Sequence, residues 1–227
     1  MKKFDRELAD IQQRLVAMGD LAKSMVGLAT IALKDRNQDV QSEVASSESQ
    51  LDQMQVKIDH DAIRLLTVYG PVATDLRYIL VVTRITSQLE RIGDQVVNIF
   101  ESLQLMGTPP DHPTLSKLQE MAELVGQMVQ DSLDAYFSKD PAKAETTRTR
   151  DDAIDALNAQ IVKELLSDEV LHKVLTGTQD IKDSLAQILI ARHLERIADQ
   201  ANNICKEVIY MVKGADVRHG SKRSAGG

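Results

Sequence analysis

Four pairs of carboxylates recur along this chain with one spacing: Glu48 and Asp52, Glu90 and Asp94, Asp151 and Asp155, Glu195 and Asp199. Residues four apart on a helix share a face about one turn apart, so each pair sets two negative charges side by side. Such charges repel unless a cation or a proton comes between them. With 34 acidic residues in 227, about five such pairs arise by chance, so one pair alone reads as a solvated face. Repetition lifts these four. The phrase "ERIGDQVVNI" at 90–99 returns as "ERIADQANNI" at 195–204 and carries its carboxylates with it.

The elements that must position them are helices. Hydrophobic residues make up 43% of the chain and aromatics 3%, with no Trp; Ala, Leu, Ile, Val and Met between frequent charges and Gln are a helix-forming balance. Apolar residues recur three and four apart, as in Leu8, Ile11, Leu15, Met18 and Met25, and again in Leu89, Ile92, Val96, Ile99 and Leu103. That is the stripe of an amphipathic helix. The prolines, Pro71, Pro109, Pro110, Pro113 and Pro141, punctuate the stripes rather than interrupt them. At an offset of 103, Met18, Leu21 and Met25 fall on Met121, Leu124 and Met128; at 105, Leu76, Leu80 and Leu89 fall on Ile181, Leu185 and Leu194. The spacing predicts an all-α fold of two tandem, pseudo-symmetric antiparallel three-helix bundles, six helices in all. The first bundle spans 1–107 and the second 112–214, parted by "MGTPPDHP", with a flexible tail over 215–227. Turns are expected near "DRNQD" and "VYGP" in the first half, and near "SKDP" and "LTGT" in the second.

Depth along the helices brings the pairs together. The Glu48 pair lies about 20 residues before the turn near Gly70 and the Glu90 pair about 22 after it; the Asp151 and Glu195 pairs each lie about 22 from a turn near Leu175. At about 1.5 Å of rise per residue, each half sets four carboxylates at one level on antiparallel neighbours. Helix one adds Asp20, matched by Glu123, and Asn98 and Asn203 extend the stripe by a further turn. Oxygen donors without paired His or Cys suit a hard cation, Mg²⁺, Mn²⁺, Ca²⁺ or oxidised iron, and facing motifs have room for more than one ion. The competing account is a solvated acidic face neutralised by Arg91 and Arg196 and copied when the half was duplicated. A carboxylate-bridged metalloenzyme or metal store would use the same stripe. Di-iron enzymes of that kind carry Glu-x-x-His on two helices, and here only Glu169 and His172 have that spacing, without an echo. With no Ser-His-Asp arrangement, Gly-rich phosphate loop or CxxC in the sequence, no catalytic site is expected.

A net charge of -7 with scattered basic residues gives no footprint for nucleic acid. The start, "MKKFDRELAD", places charges where a signal peptide needs an apolar run, and no stretch is expected to span a bilayer, so a cytoplasmic protein is expected. Cys205, the single cysteine, reads as a small core residue, and the methionines as core filler. Asp75 and Arg77 open one helix and Asp180 and Lys182 its counterpart; with Arg91 and Arg196 they form a candidate partner surface.

The motifs "PVATDLRYI", the twin "ERI-G/A-DQ-x-x-NI" and the closing "YMVKGADVRH" together resemble the PhoU family of phosphate-uptake regulators, over about residues 3 to 219. The resemblance implies two similar three-helix bundles and a cytosolic negative regulator of the phosphate-starvation response, an adaptor rather than an enzyme. It implies as partners the ATPase subunit of a phosphate ABC transporter and a sensor histidine kinase, with membrane association only through them, and a homodimer. It implies bound metal ions, multinuclear in some members (iron, zinc, manganese or magnesium), on Glu48, Asp52, Glu90 and Asp94 in one half and Asp151, Asp155, Glu195 and Asp199 in the other. The second half departs from the pattern with Asp151 where the first has Glu48, and "DIK" where the first has "DLR".

Overall fold

A computed structural model describes residues 2–35, 40–106, 113–177 and 181–214. The described residues form helices and their connections, in the order α1 (Lys2–Asp35), α2 (Gln41–Tyr69), α3 (Ala73–Leu105), α4 (Pro113–Ser138), α5 (Pro141–Arg148), α6 (Asp151–Leu165), α7 (Asp168–Leu175) and α8 (Ile181–Lys213). The first half is the expected trio. In the second half the middle helix is cut into α5, α6 and α7, so six helical positions are filled by eight segments. The expected turns at 36–39 and in the 107–112 linker, and the tail at 215–227, lie outside the described residues.

Local chemistry sets the boundaries. Gly70 ends α2 in the left-handed conformation (φ 54, ψ 48), its N–H donating to the Leu66 carbonyl at 3.1 Å; glycine takes that conformation without a Cβ clash. Asp140 caps α5, its side chain accepting from the N–H groups of Ala142 and Lys143 at 2.9 and 3.0 Å, with Pro141 in the first turn. The cut between α5 and α6 falls at Thr149 and Arg150. Three threonines there bond back to carbonyls, Thr146 to Ala142, Thr147 to Lys143 and Thr149 to Thr146. Such β-branched, self-bonding residues weaken a helix interior. The cut is also held from outside. Lys143 reaches Asp131 and Asp134 of α4 at 3.2 and 2.9 Å, and Arg150 reaches Asp131 at 2.6 Å. Ser167 caps α7 after the second cut, accepting from the Val170 N–H at 3.5 Å.

The apolar stripes meet in one continuous core, in which Leu15, Met18, Met25, Leu51, Leu89, Ile92, Met121, Met128 and Ile197 are fully buried. Cys205 is buried among them as a free thiol, pushed up to about 12 by burial. The halves are fused rather than strung. Helices α1 and α4 run antiparallel, with Lys34 paired to Glu123 and Gly19 facing Leu133. Helices α3 and α8 also run antiparallel, through Arg84–Glu207 at 3.1 Å, Gln88–Asn203 at 3.3 Å and Gln95–His193 at 3.0 Å. Because α1 also packs on α3, and α4 on α8, these four helices make a central bundle. Helix α2 lies on one flank, against α1 and α3; α5 and α6 lie on the other, against α4 and α8.

One sequence expectation needs correcting. Helix α1 is long and apolar enough, by length and composition, to cross a membrane: Lys3–Lys34 contains an 18-residue window of mean hydropathy 1.4. That window is 44% buried inside the bundle, with Met18, Ala22, Met25 and Ala29 on the core side. Its hydropathy is that of an amphipathic core stripe.

Candidate functional site

In the first half Glu48 and Asp52 project from α2 and Glu90 and Asp94 from α3, on a shared edge of the two helices. Their charges act on one another across the gap. Partial burial first, then the charges of Asp52 and Asp94, hold Glu48 above the usual carboxylate range. Burial again leads for Glu90, followed by Asp94 and Asp52, with Arg91 opposing; Asp94 is raised by burial and by Asp52, against Arg91. None of the four is held by a side-chain hydrogen bond among the described residues.

Gly93 shows why the helices close at this level. A Cβ there would stand 2.6 Å from Leu51 Cδ1, and Leu51, the neighbour of Asp52, is fully buried. The missing methyl brings α3 onto α2 between Glu90 and Asp94. The second copy of the phrase has Ala198 at the same place, also buried.

The second half repeats the plan with different dressing. Asp151 stands in the first turn of α6, and burial, then Asp155, raise it while Asn202 and Lys206 lower it. Asp199 is raised by burial, then by Asp151, Glu195 and Asp155, with Lys206 opposing. Here amides and cations intervene. Asn202 donates to Asp151 and accepts from Arg148 Nε at 3.1 Å. Glu195 accepts from Asn158 at 2.9 Å and from Arg192. In each half the carboxylates of the two helices lie within electrostatic reach of one another. Among the described residues, no group of three or more acidic, His or Cys side chains is drawn in tightly enough to hold an ion as it stands. The donor set is nevertheless all oxygen, fitting a hard cation.

Other expected members stand elsewhere. Asp20 is exposed and paired to Lys23 at 3.3 Å, and Glu123 is paired to Lys34. Both belong to the seam of α1 and α4, whose open groove of about 590 Å³ is lined by Lys23, Lys34 and Glu123. Helix α1 turns Asp20 outward because its inner face is filled by Met18, Ala22 and Met25, and α4 turns Glu123 outward because Met121, Ala122 and Val125 fill its own. Asn203 faces Gln88 across α3–α8 and accepts from Lys206 at 3.2 Å; Asn98 is half-buried on α3. Of the partner surface, Asp75, Arg91, Lys182 and Arg196 are exposed, and Asp180 lies outside the described residues. Arg77 does not project freely. Its guanidinium lies 5.8 Å from the Tyr210 ring centre and close against Gly214, so it serves the α3–α8 contact. The dressing residues Arg148, Asn158, Arg192, Asn202 and Lys206 were not singled out from sequence, although the two offsets place them on Ala45, Gln55, Ser87, Val97 and Glu101.

Comparison with known proteins adds a family to this geometry. The family model described as the PhoU domain matches twice, at residues 15–103 and 118–208. The chain belongs to the PhoU family. It is 33% identical over 219 residues to a phosphate-specific transport system accessory protein PhoU homolog of Aquifex aeolicus, covering 96% of each chain. To the PhoU homolog of Clostridium acetobutylicum it is 30% identical, over 95% of this chain and 97% of that one. Among solved structures, PhoU from Pseudomonas aeruginosa superposes with a TM-score of 0.86 at 31% identity, covering 93% of this chain and 100% of that one. The phosphate transport system regulatory protein PhoU from Streptococcus pneumoniae gives 0.84 at 26%, covering 94% and 99%. The two PhoU matches enclose the two carboxylate groups, one in each.

Proposed function

We propose that this chain is a cytoplasmic accessory protein of a phosphate-specific transport system and a negative regulator of phosphate uptake and the phosphate-starvation response. It works as an adaptor between the ATPase subunit of a phosphate ABC transporter and a sensor histidine kinase, as a homodimer, with cations on its paired carboxylates. The observation that carries this reading is full-length likeness to proteins named as accessory to phosphate transport. The geometry agrees with an adaptor's needs. Val56 and Ile63 on the outer flank of α2 are 69% and 64% exposed, apolar side chains that a docked protein would cover.

Glu48, Asp52, Glu90 and Asp94 would hold a cation in the first half, and Asp151, Asp155, Glu195 and Asp199 in the second. A bound cation would supply the positive charge that the raised carboxylates lack, joining α2 to α3 and α6 to α8. The protein's own contribution is to hold these oxygens at one level on rigid helices. Deleting the gene and following a phosphate-starvation reporter in phosphate-rich medium tests the regulatory role. Derepression is expected, and an unchanged reporter would refute it. Capture from native membranes, probed for the transporter ATPase and the kinase, tests the adaptor role; loss of both partners from the captured set would contradict it. Oxidase turnover by the metal-loaded protein would favour an enzyme instead.

A further inference from the structure

We infer that the cavity where Tyr78 of α3 meets Tyr136 of α4 is a small-molecule site for a planar aromatic anion. Three of the chain's seven aromatic residues, four Tyr and three Phe in all, line it: Tyr78, Tyr136 and Phe137. Gln12 and Val16 of α1 and Lys139, just past the end of α4, complete the lining of a space of about 360 Å³. Ligand clefts run from about 300 to 1,000 Å³, so this one suits a body of about one or two rings. The walls are aromatic. Tyr136 is 4% exposed and stacks beside Tyr78 with ring centres 6.4 Å apart, and Phe137 stands edge-on to Tyr136 at 5.3 Å.

Two polar groups of the lining have donors to give. The phenol oxygens of Tyr78 and Tyr136 lie 2.7 Å apart. Burial holds Tyr78 above the usual tyrosine range, while hydrogen bonds from Tyr136 and Gln12 draw it down, as donors to its oxygen do. The Tyr78 O–H is then left to donate to a bound molecule. Lys139 supplies charge. Its ammonium lies 5.8 Å from the Tyr78 ring centre and has no ion pair among the described residues. Its backbone is left-handed, with φ 53, at a place past a helix end where glycine is usual. Ending α4 does not call for a lysine; what the residue adds is an ammonium at the cavity's edge. Duplication does not account for the arrangement. At the offsets of 103 and 105 the matching places hold Leu115 and Gln119 of α4, Leu33 and Lys34 of α1 and Asp183 of α8, none of them a ring. There Gln119 spans the gap instead, its amide donating to the Leu33 carbonyl at 3.1 Å; Arg36, which matches Lys139, lies outside the described residues. A molecule in the Tyr78 cavity would touch α1 and α3 of the first half and α4 of the second.

NMR of the full-length chain carrying carbon-labelled tyrosine tests this, because Tyr69, packed on Phe4, and Tyr210, beside Arg77 and Arg84, report from elsewhere. Adenosine monophosphate and indole-3-acetate offer ring and charge together, indole the ring alone and inorganic phosphate the charge alone. At least one of the two aromatic anions should shift Tyr78 and Tyr136 saturably, one molecule per chain, and bind severalfold tighter than indole or phosphate. Which of them binds tells a nucleotide from an aromatic carboxylate. Lys139→Gly should weaken that binding about threefold with stability equal or higher, since glycine relaxes the left-handed turn. Phe137→Ala, at a position 41% exposed, should weaken it about fivefold or more with the fold intact. No saturable shift with either anion, equal binding of indole or phosphate, shifts as large at Tyr69 or Tyr210, or unchanged affinity in either variant would overturn the proposal. So would a change from dimer to monomer in sedimentation of Phe137→Ala, which would make the cavity's rim an interface between copies of the chain.

Discussion

Removing negative charge from the first carboxylate group should stabilise the metal-free protein. In the double variant Glu90→Gln, Asp94→Asn, the pair on α3 and its repulsions with Glu48 and Asp52 on α2 all disappear. A like-charged pair four residues apart on a helix costs about 0.2–0.5 kcal/mol, and the cross-helix pairs are of the same order. Subtracting the lost attraction of Arg91, the gain is about 1–2 kcal/mol, or roughly 3–6 °C in Tm for a chain of this size. The pH dependence carries its own sign. Glu48, Glu90 and Asp94 are raised above their ordinary values, so the folded state holds more protons than the unfolded chain just above those values. Stability of the wild type should fall as pH rises from the ordinary carboxylate range through the raised values, then stay low. The variant should lack the part of that decline due to Glu90 and Asp94, while the part due to Asp151 and Asp199 remains. Urea unfolding with chelator at low ionic strength, followed by circular dichroism across the acid and neutral range, measures both effects. A variant no more stable than wild type at neutral pH, or one whose advantage persists when the wild-type carboxylates are protonated, would refute the clustering.

Three further outcomes follow from the packing. Gly93→Ala should cost about 1–3 kcal/mol, because Leu51 must rotate inside a filled core; chemical unfolding checks it, and an unchanged midpoint would contradict the close approach of α2 and α3. Arg84→Leu should cost about 1–3 kcal/mol, since it strips a charged partner from Glu207, which is 7% exposed in the α3–α8 seam. The double variant Arg84→Leu, Glu207→Leu should recover much of that loss. Asp134, held below the ordinary carboxylate range chiefly by its hydrogen bond from Lys143, contributes stability present above its unfolded value and lost as pH falls through its folded one. Lys143→Met should remove that acid-side dependence and loosen α5, read by faster amide exchange at 141–148.

The helical frame was legible in sequence because it rests on local rules, and the same rules bring carboxylates of α2 and α3 within electrostatic reach of one another. Period fixes which face of α3 is apolar, and repetition plus distance from Gly70 places Glu48 and Glu90 at one level. What the sequence left unread depends on which side chains meet across helices. The threonines at 146, 147 and 149 weaken a helix interior, but the cut also depends on Asp131 and Asp134 of α4 receiving Arg150 and Lys143. Asp20 and Glu123 shared the right depth with the acidic groups, yet depth does not say which way a side chain faces. The core claims the inner sides of α1 and α4 and leaves Asp20 and Glu123 to their partners Lys23 and Lys34. Fusion of the halves through α3 and α8 was likewise beyond a repeat-by-repeat reading, as was Arg77 turning back onto Tyr210.

The most direct measurement is anomalous X-ray scattering from crystals of the chain grown with Mn²⁺. A manganese peak between α2 and α3, within ligand reach of carboxylate oxygens from Glu48, Asp52, Glu90 and Asp94, is the predicted result. Carboxylates turned to separate sides of the bundle, or manganese bound only away from them, would contradict it.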